Sequence, residues 1–179
     1  IPFNYAEDTR QFTTPVAWNT GSDFTAEVPD ILSRSDLGAL RAALKGRLIA
    51  WDPVAQAPRW IVEHDNAWNG GVLSTAGGLV FQGKMGGEFV AYDAATGEAL
   101  WSHDLRSGAA SGPMTYEIDG EQYVTITTGW GSAYALVAGY AYDESVPPSV
   151  GKVVTFKLGG TGAIPAPQMA AVERTPKGP

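Results

Sequence analysis

The chain has no cysteine in its 179 residues. That excludes a disulfide within it, a thiolate metal site and a covalently attached c-type haem. Histidine is nearly absent too, with two. Basic residues are few: 12 Lys and Arg stand against 19 Asp and Glu, for a net charge of −7. The basic residues are scattered, so nothing supplies the clustered positive charge that a nucleic-acid backbone requires. Long apolar runs are missing. The longest, Ala133 to Ala141, is far short of the roughly 20 residues needed to span a bilayer as a helix. The start, Ile1-Pro2-Phe3-Asn4-Tyr5, lacks the basic end and apolar centre of a secretory signal. What the chain does have is 22 Gly, 12 Pro and 6 Trp, a composition of many turns and a few large aromatic anchors.

Those anchors repeat. Ala50-Trp51-Asp52 through Trp60 is echoed by Ala91-Tyr92-Asp93 through Trp101, and Ala50/Ala91, Asp52/Asp93 and Trp60/Trp101 are each 41 residues apart. A period near 40 residues in a Gly-rich, strand-rich chain is that of one four-stranded propeller blade per repeat. Asp93 is placed to accept backbone N–H groups of the turn that follows, and Gly97 supplies the left-handed position that closes it. Trp101 then falls on an outer strand, where it is expected to stack flat against the next blade with its indole N–H on a backbone carbonyl. The first copy carries Gln56 where the second has Gly97. Either that turn differs, reshaped by Pro58, or it tolerates the strain.

The strands read from alternation and turn residues are 47–51 paired with 59–64, then 71–75, 79–83, 88–92 and 99–104, then 114–118, 122–128 and 152–158. This divides the chain into an insertion at 1–46 with a short helix over 33–44, the C-terminal half of one blade at 47–64, a complete blade at 66–106, a last blade at 112–158 interrupted by an insertion at 129–150, and a Pro-, Ala- and Gly-rich linker or tail at 159–179. Two full repeats do not close a ring, which takes about four blades at least. The chain therefore reads as part of a larger propeller, whose remainder is its expected first partner.

The motif Ala-x-Asp-x-x-x-Gly-x-x-x-Trp resembles the tryptophan docking motif of the quinoprotein and quinohemoprotein alcohol dehydrogenases, eight-bladed propellers that use pyrroloquinoline quinone (PQQ). The run from Trp68-Asn69-Gly70-Gly71 to Gln82-Gly83 is similar to their entry into the seventh blade. The resemblance continues through Ala91 to Glu98, Gly112 to Tyr116 and Gln122 to Val124, and Ile1 to Tyr5 is similar to the start of an insertion after a sixth-blade strand. It covers about residues 1–160 and is most specific over 66–101.

The resemblance implies an all-β fragment of an eight-bladed β-propeller, namely one full blade, two partial blades and two long insertions. It also implies oxidation of a small alcohol by bound PQQ, with electrons passing to a cytochrome or quinone acceptor, in the periplasm. This segment would supply pocket wall and ring closure. The cofactor contacts it implies are Trp68, Asn69 and Gly70, and Gly129, Trp130 and Gly131. The plainer reading of each loop is a tight turn or a glycine-flanked anchor with a packed Trp. Tyr134 to Tyr142, with Trp18 and Phe24, would line an apolar substrate entrance or simply hold the insertions down. The catalytic Asp, the calcium ligands and any haem c domain are expected outside this segment. His64 and His103 read as surface residues. The rival function is a non-catalytic propeller scaffold of outer-membrane protein assembly that shares the Trp motif. A sugar-, alkaloid- or polymer-oxidising quinoprotein is a further alternative, because nothing here chooses the substrate.

Overall fold

The computed structural model of the chain describes residues 45–131 and 149–166. The helix expected over 33–44, the insertion aromatics Trp18, Phe24 and Tyr134 to Tyr142, and the tail after residue 166 lie outside them. The described residues form nine strands in three antiparallel sheets. β1 (Gly46–Asp52) and β2 (Ala57–His64) make a two-stranded sheet. β3 (Val72–Ser74), β4 (Leu79–Gly83), β5 (Glu88–Asp93) and β6 (Ala99–Asp104) make a four-stranded meander in chain order. β7 (Met114–Ile118), β8 (Glu121–Thr127) and β9 (Val153–Lys157) make the third sheet, also in order. The sheets are partial and do not close on one another.

The four-stranded sheet lies between the other two, so its central strand β5 is buried on both faces. Alternation sends Val90 and Tyr92 toward Leu48, Trp60 and Val62 of the two-stranded sheet, with Val80 of β4 in the same cluster. It sends Phe89 the other way, into a core with Leu105, Ala109, Val124 and Ile126, flanked by Phe81, Val154 and Phe156. Phe89 and Phe156 pack with ring centroids 5.4 Å apart. Burying such rings and aliphatic groups between sheets is worth about 1.5–3 kcal/mol per side chain, and it is what holds each sheet to the next. The outward face of β1 and β2 keeps Ile49, Trp51 and Ile61 exposed, and β7 keeps Met114, Tyr116 and Ile118 exposed at the far side.

The repeated turns share one construction. Asp52 Oδ1 accepts the N–H groups of Val54 and Ala55 at 2.9 and 3.0 Å. Asp93 Oδ1 accepts those of Ala95 and Thr96 at 2.9 and 2.8 Å and the Thr96 hydroxyl at 3.1 Å. The register slips at the same point in both hairpins, between Ala50 and Trp51 and between Ala91 and Tyr92. Gly97 sits at φ 77° and Gln56 at φ 49°. The first turn is thus not reshaped: Gln56 accepts the left-handed conformation, at a cost of about 1 kcal/mol. Trp60 lies against the second turn. Its Nε1 donates to Ala94 O at 3.1 Å, and a Cβ on Gly97 would stand 2.8 Å from its ring.

Trp101 departs from the expectation of flat stacking. It meets the third sheet edge-on through Phe156, at 79° between ring planes, and lies parallel to His103 on its own strand. What receives it on the third sheet is the Phe156 ring of β9, whereas Trp60 lies over Gly97. The surface reading of His64 is also corrected: the residue is 3% exposed and bonded to Gln82. Its place in the alternation explains this, since Trp60, Val62 and His64 share the inward face of β2. His103 is half-buried against Trp101.

Candidate functional site

The hairpin turns at Asp52 and Asp93 lie at one end of the sheets. At the other end the chain runs through four connections: the β2–β3 loop, the β4–β5 turn, the β6–β7 segment and the departure from β8. β1 begins there as well. Both loops singled out in the sequence, 68–70 and 129–131, belong to this end.

The structure brings them together around a residue that sequence reading passed over. Met85, in the Gly-rich β4–β5 turn, is completely buried, and Trp68, Ala110 and Trp130 pack against it. A methionine suits this place because its flexible thioether fits between two indoles and interacts well with ring edges. Gly108 completes the seat. A Cβ on it would stand 2.8 Å from Met85 Sδ and 3.0 Å from Trp130 Cδ1. Both indoles belong to half-buried residues. Met85 lies within Lys84-Met85-Gly86-Gly87, which reads as turn chemistry, and only its apolar character between two candidate loops signalled a role.

Trp68 holds φ at 66°. For a non-glycine residue this costs roughly 1–2 kcal/mol and persists only where the surroundings over-determine it. Asn69 supplies part of that constraint. Its Nδ2 donates to Asn66 O at 2.6 Å and its Oδ1 accepts Met85 N–H at 3.0 Å. The amide that the sequence offered as a ligand contact thus ties its loop to the Met85 turn. Gly70 is buried and donates to Gly83 O at 2.9 Å. Any Cβ on it would collide with the carbonyls of Ser111 and Ala109.

The second loop is pinned as firmly. Gly129 N–H donates to Gly108 O at 2.7 Å, and Ala109 and Gly129 form a parallel bridge. Trp130 N–H donates to the Ser149 hydroxyl at 3.1 Å. Ser107 is fully buried. Its Oγ donates to Val150 O at 2.9 Å and accepts Val150 N–H at 3.0 Å, while Thr128 Oγ1 donates to the same carbonyl at 2.6 Å. The departure and return of the 129–150 insertion are therefore clasped to residues 107–108. Gly131 lies exposed just beyond, at φ 67°.

The site is apolar and aromatic, with backbone amides, and Lys84, beside Met85 in its turn, is ion-paired with Glu88. Such surfaces suit the face and edge of a flat conjugated ligand. Among the described residues no group of three or more His, Asp or Glu side chains stands close enough to hold a metal ion.

A family model described as the PQQ glucose/ethanol/alcohol dehydrogenase β-propeller domain matches residues 44–124. Quinohemoprotein alcohol dehydrogenase ADH IIB of Pseudomonas putida is 40% identical over 179 residues, 99% of this chain and 25% of that protein. The 1-butanol dehydrogenase (cytochrome c) of Thauera butanivorans is 48% identical over 121 residues, 68% of this chain and 17% of that protein. Among solved structures, quinohemoprotein alcohol dehydrogenase ADHIIG of Pseudomonas putida HK5 superposes with a TM-score of 0.70 at 45% identity, covering 75% of this chain and 20% of that one. The chain spans about a quarter or less of the length of these relatives.

Proposed function

Since this chain belongs to the PQQ β-propeller family of alcohol dehydrogenases, we propose that it forms one share of a PQQ-dependent enzyme that oxidises an alcohol to an aldehyde or ketone. Its acceptor is a cytochrome or a quinone; the cytochrome c in the name of the Thauera relative favours the former. PQQ, when bound, would supply the acceptor for the hydride of the alcohol carbon, which carries both electrons of the oxidation. The protein's part is orientation and exclusion of water.

The observation that carries the reading is the convergence of Trp68 and Trp130 on Met85 at one end of the sheets. Indoles gathered on one apolar seat suit a flat ring system, and the glycines on either side let backbone approach it. Trp68, Asn69, Gly70, Gly129, Trp130 and Gly131 would hold the quinone, with Asn69 acting chiefly by fixing Trp68 and Met85. The catalytic base and the calcium ligands come from blades outside this chain, and haem c, as in quinohemoproteins, from a separate domain. The exposed outer faces of the first and third sheets, Ile49, Trp51 and Ile61 on one side and Met114, Tyr116 and Ile118 on the other, would pack on the rest of the ring. Trp60 against Gly97 is the tryptophan docking contact repeated around it. A periplasmic location follows from the same family reading.

The test is reconstitution of the full-length apoenzyme with PQQ and calcium, followed by absorbance and alcohol turnover. Trp130→Ala and Asn69→Ala should weaken quinone retention by about tenfold or more, the loss expected for one well-buried contact. Wild-type quinone affinity and turnover in both variants would remove these residues from the cofactor site.

A further inference from the structure

Two buried polar side chains have no part in that reading, yet one of them bonds to the Trp68–Gly70 loop and the other bonds to the first. His64 ends β2 and is 3% exposed; Gln82 lies in β4 and is 5% exposed. His64 Nε2 and Gln82 Oε1 are 2.9 Å apart, and Gln82 Nε2 donates to Gly70 O at 3.0 Å. Apolar residues would fill these places more cheaply, since buried polar groups cost stability unless they are paired. The pair also crosses between sheets, from the two-stranded to the four-stranded one.

We propose that His64 and Gln82 form a brace that fixes the Gly70 carbonyl and so positions the Trp68–Gly70 loop for its cofactor. The functional half of this inference rests on the PQQ reading above; the mechanical half does not.

The hydrogen-bond directions are determined. Gly70 O can only accept, so Gln82 must present its NH2 to that carbonyl and its oxygen to His64. The imidazole therefore carries its proton on Nε2. Gln82 is the ring's side-chain hydrogen-bond partner among the described residues. Burial, the largest influence, pushes the imidazole below its ordinary range. Lys84 pushes the same way, against the bond to Gln82, the backbone of Glu63 and the charge of Asp65. The neutral ring that the brace needs is thus the form the site favours. Gly70 is held at both ends, its N–H on Gly83 and its carbonyl on Gln82. Two residues upstream, Trp68 occupies its strained conformation, which requires such over-determination.

The experiment uses the full-length protein with His64→Leu, which removes the donor, and His64→Gln, which keeps an N–H near the Nε2 position. Amide hydrogen exchange over residues 66–71 is measured in the apoprotein, and the PQQ dissociation constant by absorbance titration. His64→Leu should speed exchange roughly tenfold and weaken PQQ by a similar factor, the worth of about one buried hydrogen bond. His64→Gln should restore both to within about threefold. Unchanged exchange in His64→Leu, or equal loss in both variants, overturns the brace. Wild-type protein that takes no PQQ overturns the cofactor reading alone, and the exchange arm still decides the brace. Should His64→Leu fail to fold, Gln82→Met removes both of the brace's bonds while keeping the shape of the side chain.

Discussion

The two copies of the Asp-turn-Trp repeat are alike in backbone and unlike in what rests on them. Both turns hang on a carboxylate that gathers the N–H groups two and three residues ahead. Both place the fourth residue after the Asp in the left-handed region, Gln56 in one and Gly97 in the other. Gln56 shows that the conformation alone does not demand glycine. What Gly97 has and Gln56 lacks, among the described residues, is an indole lying across it. The glycine of this repeat serves the neighbouring sheet's Trp at least as much as its own turn.

Exchanging the two residues tests that distinction. Gly97→Ala should destabilise the protein by about 2–4 kcal/mol, because the added methyl would drive into Trp60 on top of the left-handed strain. Gln56→Gly should change stability by less than about 1 kcal/mol, relief of strain being offset by added chain freedom. Denaturant unfolding of the intact protein measures both, and equal effects would dissolve the comparison.

The tryptophans differ next. Trp60→Phe gives up the bond to Ala94 O and the fit over Gly97, for about 1–2 kcal/mol. Trp101→Phe keeps an edge-on ring against Phe156 and should cost less than about 1 kcal/mol. Thermal melts of the two variants should rank them in that order.

The smallest effect is electrostatic. The N–H and hydroxyl of Thr96, then the N–H of Ala95, hold the Asp93 carboxyl below its usual range. The N–H groups of Ala55 and Val54, with Arg59, do the same for Asp52. A carboxyl depressed in the folded state contributes its full stability above the unfolded pKa, about 3.9, and loses it as pH falls through the lower folded value. Acidification below about pH 4 should therefore lower the melting temperature slightly. Asp93→Asn should flatten that dependence more than Asp52→Asn, and Thr96→Val should flatten it in part. A pH series of melting curves separates them.

The strands were legible because paired glycines and Asp-Gly steps punctuate a strict alternation, and the observed strands begin and end within one or two residues of those marks. The candidate loops were legible through Trp68 and Trp130. Their meeting point was not, because Met85 sits in turn-like sequence and its burial depends on segment 107–110 folding over it. His64 was misread for a different reason. Its place at the end of a strand suggested solvent, while the alternation with Trp60 and Val62, also on the page, pointed inward. Trp101 departed from the repeat rule where it meets the Phe156 ring edge-on, while Trp60 meets Gly97.

The clasp at Ser107 has a consequence for how such a protein can change over generations. One hydroxyl holds both the N–H and the carbonyl of Val150, and Gly108 holds Gly129, so the intervening excursion leaves and returns through a single fastening. Lengthening a chain between fixed ends costs only with the logarithm of its length, about 0.6 kcal/mol per doubling. A change of length between these fixed ends would therefore leave the clasp at Ser107 and Gly108 in place at small cost.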